Sequence, residues 1–216
     1  MDVFEAISSR TSKRAFLDRP VQRELIEEVL GAALRAPSAI NLQPWEITVV
    51  SGEERRRLSR LLLRQYQERK IGCGAGTATA LPERLKARQY SSFLALTEAL
   101  GAGSEEVSRF VNEGSLNFYG APTALIITKE KLFPHHYLCS LGLMIGYLLL
   151  AAQAKGLATC PVGLILPYQD AILDFLNLPD RDLVLGVALG YADPEAPVNQ
   201  ARTPREPIES LIRWYG

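Results

Sequence analysis

Arg10-Thr11-Ser12-Lys13-Arg14 and, after a helix-patterned stretch, Ala36-Pro37-Ser38-Ala39-Ile40-Asn41-Leu42-Gln43-Pro44-Trp45 are the segments on which the reading of this chain turns. In the first, Arg10, Ser12 and Arg14 stand at every second position. Extended backbone alternates its side chains, so these three would share a direction. Two guanidinium forks and a hydroxyl aimed at one point suit an anion such as a phosphate. The second segment sets two prolines among small polar residues and reads as a stiff loop presenting amide groups. Taken singly, each has an ordinary account: a solvated basic turn, or a helix stop leading into a strand. Taken together, they predict a phosphate-bearing ligand with a heteroaromatic end.

The 216 residues, 47% of them apolar, suit one domain spanning 1–216 with a substantial core. Basic and acidic side chains number 24 each, so the basic excess of a nucleic-acid binder is missing and no such partner is expected. Cys73, Cys139 and Cys160 are odd in number, widely spaced and form no CxxC pair, which points to free thiols in a reducing compartment. Met1-Asp2-Val3-Phe4-Glu5 lacks the basic-then-apolar pattern of a signal peptide, and a cytoplasmic location is expected. From His135 to Ala154 no Asp, Glu, Lys or Arg occurs, and the run approaches the length that spans a bilayer. Ser140, Gly142, Gly146 and Gln153 interrupt it, however, and a helix apolar all round also serves a buried core or a subunit interface. No membrane partner is expected. His135 and His136 are neighbours that would point apart, with no Cys/His cluster beside them, so no metal site is expected.

Asp2 caps a short helix to about Ser9, and an extended Arg10–Phe16 follows. Val21, Leu25, Ile26, Val29 and Leu30 recur at helical spacing to about Arg35, where Pro37 stops the helix. Glu46–Val50 reads as a strand, and Ser51 with Glu54 predicts a capping box for the next helix. Ile71–Leu81 reads as a mobile loop, and its Gly72-Cys73-Gly74-Ala75-Gly76 run lacks the GxGxxG spacing of a nucleotide loop. Helices over Pro82–Leu100 and Ser104–Ser115, a strand over Thr123–Thr128 and the long apolar helix come next. Ala158–Ile165 is extended, Tyr168–Leu176 helical and Leu183–Tyr191 a strand. Four prolines then punctuate a tail of the kind that wraps a neighbour. Helices outnumber strands without strict alternation, which predicts an α+β fold of one sheet layer with helices around it.

The two opening segments, in this order, resemble the FMN-dependent nitroreductase family, in particular its nitrobenzoate-reductase-like branch. The likeness continues through Phe118-Tyr119-Gly120-Ala121-Pro122 and Gly156-Leu157-Ala158-Thr159-Cys160-Pro161. It closes with Ala188-Leu189-Gly190-Tyr191-Ala192-Asp193-Pro194, Ala196-Pro197-Val198-Asn199 and Arg202-Thr203-Pro204-Arg205-Glu206-Pro207. It is weakest from about Arg64 to Glu113.

The resemblance implies a central, mostly antiparallel sheet flanked by helices in an intertwined homodimer, with FMN as cofactor and NADH or NADPH as electron donor. It also implies that Arg10 and Arg202 reach the FMN phosphate with Ser12, in the segment that includes Thr11, and that Arg14 faces the N1–C2=O edge of the flavin. Pro37, Ser38, Ala39 and Asn41, with Gln43 as a weaker candidate, match a loop that covers the flavin of the partner subunit. The turn Cys160-Pro161-Val162-Gly163 would lie along the ring, with a backbone N–H of Gly163 aimed at N5. No side chain is expected to act as nucleophile, acid or base; Cys160 reads as a small buried hydrophobe. Arg205 is either a further phosphate ligand or a surface arginine capping the tail. Gln200 stands where some members carry a lysine, which implies weaker hold on the phosphate. The expected activity is hydride passage from NAD(P)H through FMN to a small electron-poor acceptor such as a nitroaromatic or quinone, with ping-pong kinetics. Same-fold chemistry of another kind, such as dehalogenation or enone reduction, and a flavin-binding regulator without turnover are the alternatives.

Overall fold

The computed structural model describes residues 1–73 and 79–216. Its centre is a four-stranded sheet made of β1 (Glu46–Ser51), β2 (Thr123–Glu130), β3 (Ala158–Val162) and β4 (Arg181–Gly190). The order is β1-β2-β4-β3, and every neighbouring pair is antiparallel. β2 and β4 are therefore central and covered on both faces. This is why Ala124-Leu125-Ile126-Ile127 and Val187-Ala188-Leu189 read as unbroken apolar runs instead of alternating ones.

Period-two geometry divides those runs between two cores. Leu125, Ile127, Val187 and Leu189 face α2 (Arg23–Ala33) and α6 (Leu138–Ala154), meeting Ile26, Val29, Leu141, Met144 and Leu148. Ala124, Ile126 and Ala188 face the other way. They meet Leu58 and Leu62 of α3 (Gly52–Arg69), Leu116 of α5 (Ser104–Leu116) and Ile172 of α7 (Gln169–Leu176). A small third cluster joins Leu96 of α4 (Glu83–Leu100) to Val107 and to Val198 of the tail.

The first helix, α1 (Val3–Ser9), is capped by Asp2, whose carboxylate accepts from Glu5 N at 2.9 Å. The capping box expected at α3 does not form: Ser51 makes no side-chain cap. Ser51 is still a paired strand residue opposite Thr123, and the Glu54 carboxylate is taken by Arg57 at 2.8 Å. The expected loop over Ile71–Leu81 lies partly outside the described residues, as does its glycine run. Its leading flank is pinned, with Tyr168 Oη donating to Ile71 O at 2.8 Å and Cys73 N donating to Asn112 Oδ1 at 2.7 Å.

The segment His135–Ala154 has a mean hydropathy of 1.6 and is long and apolar enough to cross a membrane by length and composition. One face of α6 packs on the sheet and against α2. The opposite face leaves Leu138, Leu143 and Tyr147 exposed, and Val3, Phe4 and Ile7 of α1 are exposed as well.

Candidate active site

Residues 10–16 run extended beside β3. Ser12 bridges to Thr159 in parallel, Lys13 N donates to Thr159 O at 3.0 Å, and Phe16 bridges to Ala192. The segment thus occupies the free edge of β3 and aims its side chains over that strand. Alternation does what the sequence suggested. Ser12, Arg10 and Arg14 all lie close enough to the Cys160 side chain to favour its thiolate form. Burial dominates and pushes the Cys160 thiol up, away from the thiolate form that a reactive cysteine needs. Thr11, between them, has a buried hydroxyl with no hydrogen-bond partner among the described residues.

The tail supplies the rest. Asn199 O accepts from Lys13 Nζ at 2.8 Å and from Arg202 at 3.2 Å, which sets these two cations side by side. Lys13 has its pKa lowered by burial and by Arg202. Arg10 has its pKa lowered by burial and by Arg205, with the Cys160 side chain opposing. Among the described residues, none of Arg10, Lys13, Arg14, Arg202 and Arg205 pairs with a carboxylate. Like charges gathered without a counter-ion penalise one another unless an anion joins them. This donor set fits a group carrying about two negative charges.

Arg10 lies near Arg205, and Arg202 lies near Lys13. The Arg202 guanidinium is held by the carbonyls of Asn199 and Ala201. Arg205 caps the tail, donating to Thr203 O, Thr203 Oγ1 and Pro204 O, and it also lies near Arg10.

Two residues without an assigned role in the sequence belong here. The Arg14 guanidinium lies 6.0 Å from the centre of the Tyr119 ring, and the Tyr119 hydroxyl meets Ser115 Oγ at 3.1 Å. Phe118 and Tyr119 both take left-handed backbone, and Gly114 leaves the room that the Tyr119 ring fills. Asn199, 3% exposed, ties the tail to Arg14 and Ala15. Both sit in motifs that carry the family likeness; only their tertiary partners reveal their roles.

Cys160, Pro161 and Val162 form β3 opposite Ala188, Val187 and Gly186, and Gly163 is exposed just beyond, its carbonyl accepting from Leu166 N at 3.0 Å. The Pro37–Gln43 loop is elsewhere. Ala39 N donates to Ser140 Oγ at 3.2 Å at the start of α6, whereas Gln153 at the end of α6 donates to Ser9, next to Arg10. Ser140 and Gln153 are 13 residues apart on one helix, a separation of about 20 Å at the α-helical rise. One chain therefore does not bring Pro37, Ser38, Ala39, Asn41 and Gln43 to Arg10. Inside the loop Ser38 Oγ accepts from Gln43 N at 3.0 Å, and the Gln43 side chain reaches Asn41 O at 3.4 Å. Ile40, Asn41 and Gln43 all have positive φ, and Ile40 is 83% exposed.

This fold and site define a class: an α+β protein with one antiparallel sheet, helices on both faces, and several cationic side chains gathered beside an edge strand. The sequence model of the nitroreductase family matches residues 7–191. The 4-nitrobenzoate reductase of Pseudomonas putida is 35% identical, the match covering 100% of this chain and 96% of that protein. The chloronitrobenzene nitroreductase of Comamonas testosteroni is 33% identical over 97% of this chain and 95% of its own length. The FMN-dependent nitroreductase NfnB of Mycobacterium smegmatis, solved in complex with NADPH, superposes with a TM-score of 0.90 at 30% identity, covering 99% of this chain and 97% of that one. The chain belongs to the nitroreductase family.

Proposed function

We propose that this protein is an FMN-dependent oxidoreductase of the nitroreductase type, acting as a single flavin-binding domain that assembles into a homodimer. The observation that carries the reading is the cluster of Arg10, Lys13, Arg14, Arg202 and Arg205 around the end of β3, with no carboxylate partner among the described residues. Relatives that match end to end are nitroreductases by name, and a structural neighbour is FMN-dependent and holds NADPH.

Bound FMN supplies the redox chemistry, accepting hydride from NADH or NADPH and releasing it to an electron-poor acceptor such as a nitroaromatic or quinone. The chain supplies position and charge. Arg10, Arg205 and Ser12 would hold the phosphate, with Lys13 and Arg202 as a second cationic pair close by. Arg14, steadied against Tyr119, would face the ring, and a fixed cation there favours the electron-rich form of the cofactor. Cys160, Pro161, Val162 and Gly163 would line its length. The buried, neutral Cys160 thiol suits a packing role beneath the ring.

The 20 Å gap supports a shared site. The Pro37–Gln43 loop lies at the opposite end of α6 from Arg10 in its own chain, and a second copy across the exposed face of α6 could bring its loop to the flavin. The exposed apolar side chains of α1 and α6, and Trp214 and Tyr215 of the tail, are the surface such an assembly would bury. Three free cysteines favour the reducing cytoplasm.

The test is direct. Purified protein should show flavin absorbance or acquire it with added FMN, and should oxidise NADH or NADPH faster when a nitroaromatic is present. A colourless protein that takes up no FMN sinks the reading. Flavin uptake without acceptor-dependent turnover would leave a flavin-binding regulator in its place.

A further inference from the structure

Asn199 sits in the short 3-10 turn Pro197–Gln200, far from both opening segments in sequence. Its carboxamide is fully used. Oδ1 accepts from Arg14 N at 2.8 Å and Ala15 N at 3.3 Å, while Nδ2 donates to Ala15 O at 2.8 Å and Asp193 O at 2.9 Å. A neutral amide has two donor hydrogens and an oxygen with two lone pairs, so no capacity remains for a ligand. Its backbone carbonyl accepts from Lys13 Nζ and Arg202, and its own N–H is satisfied by Ala196 O at 3.0 Å. One buried residue thus binds three separate stretches: residues 13–15, Asp193 after β4, and Arg202 in the tail.

We propose that Asn199 is the positioning residue of the anion site. It fixes the backbone that carries Ser12 and Arg14, and it docks Lys13 and Arg202 on one carbonyl although their charges oppose it. This rests on the reading of the cationic cluster as a phosphate site. Lys13 would otherwise be free to turn to solvent, and the tail bearing Arg202 and Arg205 would lose its anchor. The amide is required in particular. An aspartate of the same shape keeps the acceptors for Arg14 N and Ala15 N. It has no donor for Ala15 O or Asp193 O, and it places a competing negative charge among the cations.

The experiment compares FMN with riboflavin, which has the ring and ribityl chain without the phosphate. Dissociation constants for both would be measured on flavin-free wild type, Asn199→Asp and Asn199→Ala, with thermal unfolding of each. Wild type should prefer FMN strongly. Both variants should lose about 30-fold in FMN affinity, the scale set by hydrogen bonds to charged groups, and about tenfold less in riboflavin affinity, which registers only the displaced Arg14 at the ring. Equal losses for both ligands, no loss for either, or failure of both variants to fold would assign Asn199 to the fold alone and overturn the proposal. A wild type that binds FMN and riboflavin equally would instead overturn the phosphate reading beneath it.

Discussion

The two ends of α6 differ in how much of the site one chain completes. At the C-terminal end, Gln153 contacts Ser9, and residues 10–16 lie against β3 with the tail folded over them. Polar atoms there are mostly paired within the chain. At the N-terminal end, Ser140 anchors a loop in which Ile40, Asn41 and Gln43 are held in left-handed backbone while their side chains stand exposed. Left-handed backbone at non-glycine residues costs of order 1–3 kcal/mol each and persists where surroundings or function demand it. The closed end has its surroundings already. The open end lacks them within one chain, and the proposed dimer would supply them.

The largest way to break this contrast is to spoil the exposed apolar face of α6 that the proposed dimer would bury. Leu143→Glu with Tyr147→Glu places carboxylates on the exposed apolar face of α6. Burying them unpaired would cost about 3–5 kcal/mol. Light scattering should then report a monomer without retained FMN; a flavin-bound monomer would show that one chain suffices.

Next comes the closed end. Arg205→Ala should weaken FMN binding by about 1.5–3 kcal/mol, the range for a hydrogen bond to a charged group, and should leave riboflavin binding nearly unchanged. Arg202→Ala should cost less, because Arg205 lies near Arg10 whereas Arg202 lies near Lys13 in the second cationic pair. Titration of FMN fluorescence ranks the two, and equal losses would return Arg202 to the phosphate.

Gly114→Ala acts on the closed end through packing. The new Cβ would come within 2.6 Å of the Tyr119 ring, and overpacking of this kind costs about 1–3 kcal/mol. A lower Tm should accompany any change at Arg14, since Tyr119 is its neighbour. The smallest effect is expected from Asn41→Gly, which relieves the left-handed residue and should change monomer stability by less than about 1 kcal/mol. Its informative readout is FMN retention: a loss there with unchanged Tm would mark the Asn41 side chain as a contact to the bound flavin or its partner.

Much of the architecture was legible because local rules and tertiary packing agree. Apolar spacing in Val21–Leu30 places α2, and the unbroken β2 and β4 runs announce strands covered on both faces. The failed capping box at Ser51 shows where local rules lose: strand pairing and an ion pair claim the residues first. In the site, alternation in residues 10–14 places Arg10, Ser12 and Arg14 near Cys160, because extended geometry is local. Which tail arginine meets Arg10 was not legible. That depends on how the 3-10 turn at Asn199 aims residues 202–205, and no periodicity encodes it. Tyr119 escaped notice for the same reason, since its role exists only once Gly114 and Arg14 are packed around it.

The clasp between residues 13–15 and Asn199 also sets an order in time. The anion site joins the first segment of the chain to nearly the last, so its two halves meet only after every strand between them has been made. During synthesis from the N-terminus, Arg10, Ser12 and Arg14 emerge early and wait for their counterparts. On the proposed reading, cofactor loading would report that the C-terminal region has arrived and docked, and a protein cut short before Asn199 should retain FMN poorly.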